Sequence, residues 1–202
     1  MKKEEKTELT KEKIIAAAIE EFGTKGYAAS SLNSICKNFK ISKGLVYHNF
    51  ENKDKLYLAC INKCFLEVIK YLESKNIEGD LHRYMEVRFA FFSKYPLYAR
   101  LFFEAVLEPP VKLADEIKEI KKDFDELNKN IYHSALKTLN LRNGVTEKDA
   151  LEYYELMLEM FNGYFSSSAY SNTDFSIIIS DHEQKLKKIL NFMLYGIAKE
   201  VE

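Results

Sequence analysis

The stretch SSLNSICKNFKISKGLVYHNFENK, residues 30–53, decides the fold of this chain and carries most of its recognisable chemistry. It reads as a short helix, a tight turn and a second short helix that presents Lys43, Tyr47, His48 and Asn49. Proteins use this arrangement to place the second helix in the major groove of DNA. The sequence therefore predicts a helix-turn-helix whose second helix reads DNA.

The second helix combines a cap, a glycine and an outward polar face. Ser42 supplies the cap, and the backbone at Lys43 and Gly44 lies at the positive end of the helix, which favours a phosphate. Val46 and Phe50 are expected to point back to the core. An ordinary helical hairpin with a polar surface is the alternative interpretation. The residues expected to contact double-stranded DNA are Ser30, Ser31, Ser42, Lys43, Gly44, Tyr47, His48, Asn49 and Lys53.

Composition indicates an all-α protein. With 7 glycines and 3 prolines in 202 residues, and long amphipathic segments throughout, about nine helices account for the chain. Residues 1–60 hold 11 lysines and 8 acidic residues, a net charge of +3, whereas the remainder carries −4. This asymmetry suits a DNA-binding part attached to a sensor, with chance scatter of surface charge as the alternative.

Capping residues and chain breakers predict the helix boundaries. The first helix is expected to begin at Thr10 and to end at Gly23 and Gly26. The last helix is expected over about residues 181–199. Residues 175–179 have strand propensity but no second segment to pair with, so they are interpreted as a buried connector.

The N-terminal part of the chain resembles the DNA-binding domain of the TetR family of bacterial transcriptional regulators. The resemblance rests on KEKIIAAAIEEFGTKGY, a pair of hydroxyl residues, Ile35, and SKGLVYHNF followed by Lys53 and Leu56. It implies a three-helix head over residues 1–52 and a larger helical ligand-binding and dimerisation body over residues 53–202. It further implies a homodimer, most often a repressor that a small molecule releases from a palindromic operator.

The segment departs from the family pattern in three places. Phe39 and Lys40 stand in the turn where a small residue and a glycine are usual. His48 and Asn49 replace an aromatic residue followed by histidine, so we expect a different operator preference. Glu51 stands where a basic residue is common, which should slightly weaken phosphate affinity.

The helices of the predicted body are rich in aromatic residues. Small-molecule sites are usually apolar pockets with a few polar groups, so an apolar or aromatic effector is expected. Core packing is the alternative explanation for each aromatic residue. The residues expected to contact the effector are Tyr84, Arg88, Phe91, Phe102, Phe103, Tyr132, His133, Phe161 and Tyr164.

The last two long helices each carry more apolar surface than one core requires, which predicts a four-helix interface between two copies. Burial of both faces within one chain is the alternative. The predicted interface residues are Tyr154, Leu158, Phe165, Leu186, Leu190, Met193 and Ile197. A second apolar face is marked by Tyr153, Met157, Met160 and Tyr164.

No enzyme, metal or cofactor signature is found in the sequence. The four histidines have no metal-ligand spacing, and no phosphate-binding loop or nucleophile elbow is present. The chain is expected to be a soluble, cytoplasmic protein, because it has no long apolar run and an odd number of cysteines. Cys60 and Cys64 are interpreted as buried small hydrophobes, with a thiol sensor as the alternative.

The leading hypothesis is a dimeric, ligand-responsive DNA-binding repressor. The alternative is an all-α ligand-binding or interaction protein that does not bind an operator. Binding to specific DNA separates the two.

Overall fold

The computed structural model describes the backbone of residues 3–171 and 173–197 and the side chains of residues 7–171 and 173–194. Within this part of the chain the protein is all-α, as predicted. Two short 3-10 helices lie at Val111–Leu113 and Ser168–Tyr170. The nine α-helices are α1 (Lys3–Ala29), α2 (Leu32–Asn38), α3 (Lys43–Asn49), α4 (Lys53–Glu73), α5 (Leu81–Lys94), α6 (Pro96–Leu107), α7 (Ala114–Leu136), α8 (Glu147–Phe165) and α9 (Phe175–Ile197).

Helix α1 differs from its prediction at its start and at Gly23. It begins at Lys3 rather than at Thr10, because the preceding segment is rich in Lys and Glu, which have high helix propensity. Gly23 also lies inside the helix: a β-carbon there would stand 2.8 Å from Cβ of Leu97, so the glycine lets α6 approach α1 closely. The helical backbone breaks only at Gly26, where φ is 79°.

Helix α9 begins earlier than predicted, and the interpretation of residues 175–179 as a connector is wrong. The Asp174 carboxylate accepts a hydrogen bond from the backbone N–H of Ser176 at 2.8 Å, which caps the helix. Ile178 is buried and begins a row of buried residues at four-residue spacing that continues with His182, Leu186 and Leu190. The helical period therefore extends back through the segment. The predicted end near residue 199 lies outside the described residues.

The chain forms two compact units that are not continuous in sequence. Unit 1 comprises Met1–Leu66 and Tyr95–Lys121, and unit 2 comprises Glu67–Lys94 and Lys122–Glu202. In unit 1, α6 packs on α1, so the helix-turn-helix shares its unit with residues far along the sequence. The functional division at residue 53 stays a prediction.

Each unit has its own aromatic core. In unit 1 the ring of Phe22 meets Tyr57 edge-on at 5.1 Å, and Phe65 lies 5.1 Å from Phe102. In unit 2 the rings of Phe161 and Phe165 are 5.1 Å apart. Among the described helices, none is both long and apolar enough to cross a membrane.

Candidate nucleic-acid interface

The turn between α2 and α3 is held by caps on both sides. Ser31 caps α2: its hydroxyl accepts a hydrogen bond from the backbone N–H of Ser34 at 3.0 Å, and the Ser34 hydroxyl accepts one from the N–H of Ser31 at 3.1 Å. Ser42 caps α3 and accepts from the N–H of Leu45 at 3.3 Å. Between the caps, Lys40 adopts φ 54°, so a lysine fills the left-handed position of the turn.

Helix α3 has one buried face and one exposed face. Val46 is fully buried and Phe50, which follows the helix, is 6% exposed, as predicted. Lys43 and His48 are exposed, and Tyr47 is 53% exposed. None of these three polar side chains has a hydrogen bond or an ion pair within the described part of the chain. They are therefore available to a ligand outside the protein.

Leu45 was not identified from the sequence as a surface residue, yet it is 40% exposed. An exposed leucine on a recognition helix can contact the methyl group of thymine. The spacing does contain this signal, because Leu45 precedes the buried Val46 by one residue and is therefore turned about 100° away from it.

Besides the capping residues Ser31 and Ser42, two further predicted contacts use polar side-chain atoms inside the protein. Ser30 is buried, and its hydroxyl donates to the backbone carbonyl of Gly26 at 2.7 Å. Its assignment as a DNA contact is therefore wrong, and the side chain instead stabilises the end of α1. Asn49 is half-buried, and one of its two side-chain N–H groups donates to the carbonyl of Leu45 at 2.8 Å, which leaves the second N–H and the amide oxygen for a base.

Lys53, the first residue of α4, stands over an aromatic ring. Its Nζ lies 4.1 Å from the centroid of Tyr27, and partial burial lowers the pKa of Lys53. The Tyr27 hydroxyl donates to the carboxylate of Asp54, which also binds Lys112 Nζ at 2.6 Å. The sequence did not predict this cluster of Tyr27, Lys53, Asp54 and Lys112, because Lys112 is distant in sequence and belongs to no recognised motif.

Glu104 of α6 joins the same region of unit 1. Its carboxylate accepts from the backbone N–H of Tyr27 at 2.8 Å and from the hydroxyl of Tyr57 at 3.1 Å. Burial raises the pKa of Glu104, although both hydrogen bonds oppose the shift. Helix α6 is thus hydrogen-bonded to the end of α1 and to the second turn of α4.

The predicted effector contacts are divided between the two units. Phe102 and Phe103 are buried in unit 1, whereas the other seven belong to unit 2. Within unit 2, Tyr164 is exposed and His133 lies near the surface, with its Nε2 3.0 Å from Glu147 Oε2. The buried members of the set are Tyr84, Arg88, Phe91, Tyr132 and Phe161.

The buried polar members form a network in the core of unit 2. Arg88 Nε donates to both carboxylate oxygens of Glu183, at 2.9 and 2.7 Å. The Tyr84 hydroxyl donates to Asn128 Oδ1 at 2.7 Å and accepts from Arg88 at 3.2 Å. Burial alone would raise the pKa of Glu183, but Arg88 lowers it on balance. All four of these residues are buried.

Tyr132 is a buried phenol whose hydroxyl has no hydrogen-bond partner among the described residues. Its ring stacks on Tyr154 with the centroids 4.1 Å apart. Burial raises the pKa of Tyr132 to about 12, so the group stays protonated. Among the buried residues that were expected to contact the effector, Tyr132 has a polar atom without a hydrogen-bond partner in the described part of the chain.

Unit 2 also contains a cavity of about 730 Å³ that was not predicted. It lies between the start of α5, the end of α7 and α9. Leu81, Met85 and Leu190 give it an apolar floor, and Lys187 and Asn191 lie at its edge. Its volume is within the range of small-molecule sites, roughly 300–1,000 Å³.

The predicted dimer residues fall mainly on the wrong face of α8 and α9. Leu158 and Met193 are half-buried, and the side chain of Ile197 lies outside the described residues. Those buried within the single chain, where they cannot form an interface, are Tyr154, Phe165, Leu186 and Leu190. The exposed apolar side chains lie on the second face of α8 and on one face of α9; they are Tyr153, Leu156, Met160, Tyr164 and Phe192.

The cysteines of α4 have the environment of core residues. Cys60 and Cys64 are both fully buried, and burial raises the pKa of Cys60 above its ordinary value. Their thiols point to the backbone carbonyls of Ile15 and Tyr98, at 3.8 and 3.4 Å. Because the reactive thiolate is disfavoured at Cys60, the structure favours packing over a thiol sensor.

Comparison with known proteins agrees with this geometry. The family described as "Bacterial regulatory proteins, tetR family" matches residues 14–60. A relative from Staphylococcus epidermidis, the biofilm operon icaADBC HTH-type negative transcriptional regulator IcaR, is 26% identical over 196 residues, covering 94% of this chain and 100% of the relative. The Staphylococcus aureus regulator of the same name is 38% identical over 55 residues, which cover 27% of this chain and 30% of that protein.

A solved structure supports the fold. A TetR-family transcriptional regulator from Pectobacterium atrosepticum has a TM-score of 0.64 and 16% identity, covering 96% of this chain and 98% of that one. At this identity the likeness concerns the fold alone.

Proposed function

Since this chain belongs to the TetR family of bacterial transcriptional regulators, we propose that it is a dimeric repressor that a small apolar or aromatic effector releases from a palindromic operator. The relative from S. epidermidis is a negative regulator, which supports repression. The exposed face of α3 is the observation that carries the proposal. Lys43, Tyr47 and His48 are held on a capped helix and have no partner within the described residues.

Gly44 gives this proposal a specific support. Apart from its chain neighbours and the backbone of its own helix, no atom lies within 4 Å of the position that its β-carbon would occupy; its φ is also not positive, so the fold does not require glycine. Glycine inside a helix is less favourable than alanine by about 1 kcal/mol. Close approach of DNA to this backbone explains the residue, since a side chain would stand between them.

The test begins with selection of bound sequences from a random DNA pool, followed by fluorescence anisotropy at about 0.15 M salt. Tyr47→Ala and Lys53→Ala should weaken binding to all sequences. Loss of the Lys53 phosphate contact should also reduce the salt slope, the slope of the logarithm of the binding constant against the logarithm of salt concentration, by about 1. His48→Ala and Asn49→Ala should change the preferred bases instead. Gly44→Ala should raise the thermal midpoint and yet weaken DNA binding.

Two results would contradict the assignments. If the Lys53 variant bound the selected DNA as tightly as wild type, its phosphate contact would be withdrawn. If the wild-type chain selected no specific sequence, the alternative of a ligand-binding or interaction protein without operator binding would be favoured.

The cavity of unit 2 supports the effector class. Its apolar floor at Leu81, Met85 and Leu190 suits an apolar or aromatic body, and its edge supplies polar groups. A ligand that prefers a conformation with low DNA affinity must weaken DNA binding by reciprocal linkage, typically about 5- to 150-fold.

A thermal-shift screen of apolar and aromatic compounds, followed by DNA titration with each hit, tests the effector. Asn191→Trp should fill the cavity from its edge and abolish the response, because Asn191 is exposed and its side chain has no partner among the described residues. The DNA affinity of this variant without effector should be unchanged. A hit that stabilises the protein through this cavity but leaves DNA affinity unchanged would show that the cavity is not the switch.

A further inference from the structure

In unit 1 the side chain of Tyr27 lies close to two lysine ammonium groups and is hydrogen-bonded to one carboxylate. Lys53 Nζ lies 4.1 Å from the centroid of its ring, and Lys112 Nζ lies 5.8 Å from the same centroid. Asp54 receives the Tyr27 hydroxyl on one carboxylate oxygen and Lys112 on the other, at 2.6 Å. Lys53, which is expected to contact a DNA phosphate, is thus the sequence neighbour of Asp54, and the carboxylate of Asp54 binds Lys112.

The carboxylate of Asp54 is unfavourable next to a phosphate site. Left alone, it would repel the DNA backbone and attract Lys53, its neighbour in sequence. Hydrogen bonds from Lys112 and Tyr27 lower the pKa of Asp54, so the group is ionised at neutral pH. Lys112 supplies the charge that balances it, from the 3-10 helix Val111–Leu113 between α6 and α7.

We propose that Lys112 is a positioning residue for DNA binding: it neutralises Asp54 and thereby leaves Lys53 free to contact a phosphate. This inference rests on the proposed function. Lys112 lies outside residues 14–60, which match the family, so sequence motifs of the DNA-binding domain do not include it.

The geometry separates this role from a purely structural one. The Lys112 side chain is 62% exposed, and exposed ion pairs contribute little to stability. The 3-10 helix is anchored instead by Leu113, which is 3% exposed. Removal of the Lys112 charge should therefore leave the thermal midpoint nearly unchanged while it alters DNA binding.

The experiment measures DNA affinity of the full chain by fluorescence anisotropy between about 0.05 and 0.3 M salt. Lys112→Ala should weaken binding about 5- to 10-fold and reduce the salt slope by about 0.9, which corresponds to one phosphate contact. Lys112→Arg should retain wild-type binding. Asp54→Asn should bind at least as tightly as wild type, and adding Lys112→Ala to it should cause no further loss.

Lys63→Ala is the matched control. Lys63 also pairs with an acid on another helix, Glu12 of α1, but it lies ten residues along α4 from Lys53, roughly 15 Å. Its removal should leave DNA affinity unchanged. An equal loss in Lys63→Ala would overturn the proposal by showing a general effect of charge.

The remaining outcomes also decide the question. An equal loss from Lys112→Ala with and without Asp54→Asn would show that Lys112 contacts phosphate itself, which overturns the positioning role. Wild-type affinity and salt slope in Lys112→Ala would overturn it as well, while the proposed function stands. If the wild-type chain bound no specific DNA, both proposals would fall together.

Discussion

At the scale of the residue, Lys40 holds a backbone conformation that favours glycine. Its φ of 54° ends α2 and allows the N–H of Ile41 to donate to the carbonyl of Cys36 at 3.0 Å. A non-glycine residue in the left-handed region costs roughly 1–2 kcal/mol, partly offset by the entropy that glycine adds to the unfolded chain. Lys40→Gly should therefore raise the free energy of unfolding by about 0.5–1 kcal/mol.

Chemical denaturation measures this change, and Lys37→Gly is the matched control. Lys37 is an exposed lysine inside the helical part of α2, where glycine should destabilise by about 1 kcal/mol. Opposite signs for the two variants are expected. Destabilisation by Lys40→Gly would show that the lysine side chain contributes more than its backbone costs.

At the scale of the element, α5 and α9 of unit 2 pack together around buried ionisable groups. Burial lowers the pKa of His182 below its ordinary value of 6.5, although Glu183, 3.2 Å from Nδ1, opposes the shift. The unfolded chain therefore binds this proton more readily than the folded chain. The free energy of unfolding should be at its full value above pH 6.5. It should fall as the pH drops below 6.5, by at most about 1.4 kcal/mol per pH unit.

Calorimetry between about pH 7.5 and 5.5 checks this sign, because most carboxylates titrate at lower pH. The slope should disappear in His182→Asn. A thermal midpoint that is constant over this range would contradict the buried, neutral histidine.

At the scale of the whole molecule, the exposed apolar surface of α8 and α9 indicates where a second copy would bind. Phe192 is 76% exposed and Met160 is 68% exposed, on a surface that continues through Tyr153 and Leu156. Large exposed apolar patches mark interaction sites. Phe192→Glu should yield a helical monomer that fails to bind a palindromic DNA site.

Leu190→Glu is the contrasting variant. Leu190 is only 3% exposed, so a charge there should unfold unit 2 rather than separate two folded copies. Light scattering and circular dichroism distinguish the two results. A wild-type monomer at micromolar concentration would contradict the dimer, and a dimeric Phe192→Glu variant would place the interface elsewhere.

Local chemistry explains which parts of the fold were predictable. The cap at Ser42 was predicted correctly, because a cap is a contact between residues three positions apart. The start of α1 and the segment 175–179 were misread. In both places helix propensity or packing extends the helix past a residue that resembles a boundary.

The sequence by itself determined the all-α class, the helix-turn-helix and the outward face of α3, since these follow from helical period and caps. Only the tertiary structure decided which apolar face of α8 is buried, because both faces have the same periodicity and the neighbouring helix selects one of them. It also decided that Ser30 faces inward and that Lys112 reaches Asp54. Contacts between residues far apart in sequence arise from packing, and no local pattern encodes them.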